Sequence, residues 1–212
     1  MKFRWRRILV VTGLVVAGGL FLLWRMDESE SRAERASTHT LKKSEIDLLR
    51  EGDIIMRKGY GMVSRMIVSN LNEARGLSHC GIVVRTENGW GVIHTVSASL
   101  SDVDGMQLND LNEFVRQSKP GTIVVSRLRH CEDRSRIAEE AYRYLNSAIT
   151  FDHSFDLADS SRFYCSELIW HVMKNAAHVD IYDGNYQDLA FYSFEKLMSP
   201  DKFDLVIDHF KP

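Results

Sequence analysis

An excess of charge of one sign is missing from this chain: 27 Lys and Arg stand against 29 Asp and Glu, a net of −2. Nothing in that balance draws in a polyanion, so nucleic acid is not expected as a partner. Cysteine is scarce, with only Cys80, Cys131 and Cys165. There is no C-x-x-C and no zinc-type pairing, and neither a metal nor a cofactor is expected. Three cysteines cannot all pair within one chain, so at least one thiol stays free. None lies in the first thirty residues, which excludes a bacterial lipoprotein lipid site. Internal repeats and low-complexity tracts are absent too. At 44% apolar and 26% charged, the bulk of the 212 residues has the composition of a folded domain.

The amino terminus departs from that composition. Lys2, Arg4, Arg6 and Arg7 precede an uncharged stretch, Ile8 to Trp24, after which Arg25, Asp27 and Glu28 restore charge. As a helix those residues extend roughly 25 Å, at the short limit for the hydrocarbon core. No A-x-A site closes the stretch, so residues 1–26 are expected to be an uncleaved single-pass anchor, with membrane contact through residues 8–24. The basic flank places the short tail in the cytoplasm and the body on the periplasmic or extracytoplasmic side of a bacterial inner membrane. Residues 27–43 mix charges without an apolar period and read as a polar linker. Residues 44–212 form one domain.

Within that domain a short helix begins near Ser44, and Ile54 to Arg57 is a strand. Met62 to Leu71 has helical spacing. His79 to Arg85 and Trp90 to Val96 form a hairpin candidate around Glu87-Asn88-Gly89. Leu108 to Val115 is expected as a helix and Thr122 to Leu128 as a strand. Asp133 to Ser147 and Cys165 to Ala176 are amphipathic helices, and Phe203 to His209 is a closing strand. Strands and helices in mixed order, without regular βαβ alternation, give α+β with an antiparallel sheet packed against helices.

The candidate chemistry centres on Phe163-Tyr164-Cys165-Ser166-Glu167-Leu168. Cys165 opens the buried stripe of its helix, where unpaired N–H groups and the helix dipole favour the thiolate nucleophile. Of eight histidines, His171 lies about 240° round the same helix and cannot reach the sulfur. His79 and His94 lie on the two arms of the hairpin and share a face. A loop over Arg85 to Asn88 sets them directly opposite, whereas a tight Asn88-Gly89 turn pairs His94 with Val83. Cys80 alternates to the other face and reads as core, and Cys131 as a loop thiol.

Leu49-Arg50-Glu51-Gly52-Asp53-Ile54-Ile55, Leu77-Ser78-His79-Cys80-Gly81-Ile82-Val83 and Tyr164-Cys165-Ser166-Glu167-Leu168, in this order with Phe155-Asp156, resemble the YiiX/YebB-like permuted papain-fold hydrolases. These form a branch of the NlpC-type superfamily that includes lecithin–retinol acyltransferases. The resemblance covers roughly residues 44 to 208. It implies a circularly permuted papain-like fold with Cys165 as nucleophile, His79 as base and a polar third residue on the next strand. That residue is often acidic in such relatives and is His94 here.

The implied reaction is acyl transfer through Cys165, with its backbone N–H as one oxyanion donor. Tyr164 reads equally as a second donor or as a packing aromatic. Glu167 reads as a first-turn acid complementing the dipole. Asp152, His153, Asp156 and Asp159 read as a solvated loop. The rim segments Ser97 to Asp110 and Phe151 to Ser161 are polar, with dispersed apolar residues such as Leu100, Phe155 and Leu157, and favour a peptide ligand over a fatty chain. The expected function is therefore a cysteine amidase, acting on a peptide or amide such as a cell-wall peptide. The alternatives are a lipid-directed acyltransferase or thioesterase, and a catalytically silent binding domain.

Overall fold

The computed structural model describes residues 2–71, 73–98, 101, 103–153, 159, 161–184 and 193–210, with the side chains of 2–11 and 14 left aside. Its centre is a six-stranded antiparallel sheet in the order β4-β3-β2-β1-β5-β8. The strands are β1 (Ile54–Arg57), β2 (His79–Thr86), β3 (Gly89–Val96), β4 (Gly105–Asp110), β5 (Val124–Leu128) and β8 (Phe203–Asp208). The short β6 (Thr150–Phe151) and β7 (Arg162–Phe163) pair with each other in parallel. The antiparallel α+β arrangement expected from the order of elements is what the chain forms.

Alternation along the strands divides the core in two. On one face Ile54, Met56, Cys80, Ile82, Val84, Ile93 and Val124 pack against α5 (Ser135–Leu145) and α6 (Cys165–Ala177). On the other, Ile55, Val83, Val92 and Val125 pack against Leu111, Phe114 and Val115 of α4 (Leu111–Arg116), with Leu41 and Leu49. β1 is buried along its whole length because it lies inside the sheet with cover on both faces.

The stretch expected as a helix from Leu108 is corrected: residues 108–110 finish β4, where Leu108 pairs with Ile93. Only at Asp110 does the chain turn, its carboxylate accepting the Asn112 N–H at 2.8 Å and capping α4. Apolar residues spaced for a helix were claimed by the β3 edge instead.

The amino-terminal expectations need larger correction. α1 is one helix, Lys2–Arg35, so residues 27–35 are helical where a linker was expected. Asp27, Glu30 and Glu34 follow helical spacing and face the body. Asp27 Oδ1 accepts the Met62 N–H at 2.9 Å and Glu30 Oε2 the Gly61 N–H at 2.5 Å. Glu30 also pairs with Arg65 and Lys119. α3 (Gly61–Asn70) has no side-chain cap of its own, so acids from α1 satisfy its opening N–H groups. A charge pattern that looked solvated is a docking face. Among the described residues no helix is long and apolar enough to cross a membrane, so the expected span through residues 8–24 has no support there. The uncharged run is about 25 Å of helix against a core of about 30 Å.

Candidate active site

Cys165 is the first residue of α6, behind the extended Tyr164. Thr95 Oγ1 donates to the Phe163 carbonyl at 3.2 Å, which ties the approach to α6 onto β3. The Phe163 ring stacks on His171 with centroids 4.4 Å apart, and Glu167 accepts the Tyr164 N–H at 3.3 Å. His171 faces Glu167 at 3.6 Å, so it belongs to the packing of α6 and not to the thiol. Glu167 is wholly buried as a capping acid, and Tyr164 is a core aromatic at 3% exposure.

Cys165 as a residue is partly exposed. It lies beside the Cys80 thiol, which with the N–H groups of Cys80, Ser166 and Cys165 itself pulls its pKa below the ordinary thiol range against the opposing effect of burial. Cys80, wholly buried on the α6 face, is pushed well up by burial and by its neighbour. One thiol of the pair is therefore the natural thiolate and the other the natural donor.

His79 opens β2 opposite Arg57, the last residue of β1. The hairpin turns at Glu87-Asn88, with Thr86 opposite Gly89 and Ile82 opposite Ile93. This register lies between the two considered from sequence. His79 and His94 are thus diagonal neighbours, and His79 Nε2 lies 2.8 Å from His94 Nδ1. Gly81 allows the approach. A Cβ there would meet the Val92 side chain at 2.5 Å, the Ile93 carbonyl at 2.9 Å and His94 Cβ at 3.0 Å. Ser78 secures the same strand end by accepting the Gly59 N–H at 2.9 Å, while its hydroxyl lies 3.1 Å from that of Ser64.

The Phe114 ring sits under both imidazoles, 5.6 Å from His79 and 5.3 Å from His94, and under the Arg57 guanidinium at 4.6 Å. Burial, then the Arg57 charge, then His94 hold His79 well below the usual imidazole range. Burial and Arg57 push His94 down to about 3, with Asn109 opposing. Both rings are neutral at pH 7, the state a general base requires.

Cys165, His79 and His94 all line one cavity of about 780 Å³. They enter it differently from the sequence expectation. Among the described residues no hydrogen bond joins Cys165 to His79: the thiol is held from the α6 side of the sheet and the imidazoles from the α4 side. They meet at the open end of β2. The cavity also takes Arg57, Gln107, Asn109 and Gln117, and Glu34 from α1. Arg57 escaped the sequence reading, although a charged residue closing an otherwise apolar strand on the face of Ile55 was a visible signal. Of the expected acidic loop, Asp152 is wholly buried, His153 lines the cavity, and Asp159 pairs with Arg162; Leu100, Asp156, Phe155 and Leu157 lie outside the described residues. Cys131 makes a loop contact with the Asp133 carbonyl.

Comparison with known proteins bears on the fold and the family. A curated relative, the uncharacterised protein YiiX of Escherichia coli strain K12, is 29% identical over 128 residues. That match takes in 59% of this chain and 57% of the relative's length. The crystal structure of yiiX from E. coli O157:H7, described as a metalloprotein, superposes with a TM-score of 0.58 at 20% identity, over 75% of this chain and 97% of that one. At that identity the likeness speaks for the fold. The model of the permuted papain-like amidases, YaeF/YiiX, C92 family, matches residues 48–201, and the chain belongs to that family of amidase-like hydrolases.

Proposed function

We propose that the chain is a thiol-dependent amide hydrolase in which Cys165 is the nucleophile, His79 the base and His94 the residue that orients it. The observation that carries this reading is the 2.8 Å contact between His79 Nε2 and His94 Nδ1 at the wall of the cavity that Cys165 also lines. In the tautomer where Nε2–H donates to His94, Nδ1 of His79 is left with a lone pair for the thiol proton. The thiolate attacks the amide carbonyl, and the Cys165 N–H at the start of α6 receives the oxyanion. The imidazolium protonates the leaving amine; water, deprotonated by His79, then releases the acid from the thioester. In this reading the thiol–imidazole hydrogen bond forms when substrate fills the cavity, since catalytic hydrogen bonds are commonly incomplete in unliganded sites.

Polar residues dominate the part of the cavity nearest the imidazoles, including Ser97, Gln107, Asn109 and Gln117, which suits a peptide such as a cell-wall stem. A lipid-directed reading draws on α3, which contributes Val63, Met66 and Ile67 to the opposite wall and leaves Met62 and Met66 about half exposed. We place the body outside the cytoplasmic membrane, a proposal resting on the basic residues ahead of Ile8. The full chain is expected to release amines from short cell-wall peptides, with turnover lost in Cys165→Ala. Efficient hydrolysis of long-chain acyl esters with no peptide cleaved would replace the amidase reading by the lipid one.

A further inference from the structure

Arg57 is the unexplained charge of the cavity. It is 8% exposed, and among the described residues its guanidinium hydrogen-bonds neutral acceptors, the Phe114 carbonyl at 3.4 Å and Gln117 Oε1 at 3.1 Å. Among the described residues its Nε has no hydrogen-bond partner and no ion pair joins it to a carboxylate. Two other arginines, each partly exposed, are paired with acids. Arg127 meets the wholly buried Asp53 through two contacts of 2.7 and 2.8 Å, and Arg75 meets Asp208 at 2.9 Å. A guanidinium withdrawn from water with no acid in direct contact is an unfavourable group in a protein, and it binds carboxylates through a planar fork. Burial lowers the Arg57 pKa to about 10, against the opposing pull of the nearby Glu34 and Cys165 charges.

Arg57 stands directly across the ladder from His79, on the same face, and lines the cavity with Cys165. The acid that faces it most closely in charge is Glu34 of α1, which lines the same cavity without ion pairing to it.

We propose that Arg57 is a carboxylate-binding residue, which receives a carboxylate carried by the substrate beside the carbonyl that Cys165 attacks. This deepens the amidase reading and rests on Cys165 as the nucleophile. The substrate class becomes amides bearing a free carboxylate close to the scissile bond, with the Gln117 amide steadying the guanidinium and Glu34 bordering the site as a weak internal competitor.

The test compares two alkylating reagents of nearly equal size on the full chain, iodoacetate and iodoacetamide, reading Cys165 modification by peptide mass. Any change in thiolate basicity affects both reagents and cancels in the ratio of their rates. The iodoacetate-to-iodoacetamide ratio at Cys165 is expected to exceed that of free cysteine by about ten-fold, the scale of local charge attraction. Arg57→Gln should return it to the free-cysteine value, Arg57→Lys should fall between, and Glu34→Gln should raise it. Acetate should protect Cys165 against iodoacetate, and acetamide should not. A ratio unchanged in Arg57→Gln overturns the proposal, because Arg57 then acts on the thiol alone. If Arg57→Gln does not fold, an unprotected Cys165 in acetate and an unmoved ratio in Glu34→Gln overturn it instead. Failure to release amines from any peptide, with the ratio behaving as expected, would reject the amidase reading and leave the carboxylate site standing.

Discussion

His79 and His94 touch each other, yet their environments differ, and the proposed roles of base and orienting residue differ with them. His79 is partly exposed at the cavity, whereas His94 is 1% exposed and contacts His79 Nε2 through its Nδ1. His79→Ala is therefore expected to remove nearly all turnover, and His94→Ala to leave a measurable remainder, part of the loss returning in His94→Asn or His94→Glu. Equal, unrescued losses in steady-state rates would reject the orienting role. The same burial has a cost in acid. Because His94 is held at about 3, the unfolded chain binds its proton first as pH falls below the ordinary histidine value near 6.5. Stability is then level above that pH and declines below it, by about 1.4 kcal/mol per pH unit for each such histidine. Urea melts between pH 7 and 4.5 should show a decline that is shallower in His94→Asn. An identical pH slope in the two proteins would place the acid sensitivity elsewhere.

At the level of elements, the site is assembled by three ends: the end of β1, the start of β2 and the start of α6. α3 and α1 close it from one side, and their association depends on the acids of α1. Glu30, 24% exposed at its side chain, serves the Gly61 N–H, Arg65 and Lys119 together. Networked and half-sheltered, such a group is worth more than an isolated surface pair, about 1 kcal/mol. Glu30→Ala should loosen the final turns of α1 without unfolding the sheet. Hydrogen exchange would then quicken at residues 26–35 and 61–65 while β1 and β2 keep their protection. Unchanged exchange at those residues would mean that the acidic face contributes nothing to docking.

Across the whole molecule, α1 couples whatever holds its amino-terminal half to the wall of the cavity, since one helix carries both Trp24 and Glu34. At 1.5 Å per residue the two are about 15 Å apart along the axis. A body held outside the cytoplasmic membrane would thus present its cavity near the bilayer surface. Protease added to spheroplasts should digest the body and leave the first residues protected. Digestion only after lysis would place the body in the cytoplasm and remove the reason for expecting cell-wall peptides.

What this sequence determined by itself was everything governed by local period. Strand alternation put His79 and His94 on one face and Cys80 on the other, whichever hairpin register held. The stripe of Leu168, Ile169 and Val172 likewise put Cys165 at the opening of a buried helix. The order of motifs around Cys165 and His79 was enough to indicate the family. What only the tertiary structure decided were relations between segments far apart in the chain, where no period extends. The hairpin register followed from a turn at Glu87-Asn88 that the dipeptide Asn88-Gly89 did not announce. Pairing of β1 with β2 set Arg57 beside His79, and packing of α6 on the sheet set Cys165 beside Cys80. The acids of residues 27–35 had the composition of a solvated linker, and the folded body gave them partners in the open N–H groups of α3, Arg65 and Lys119.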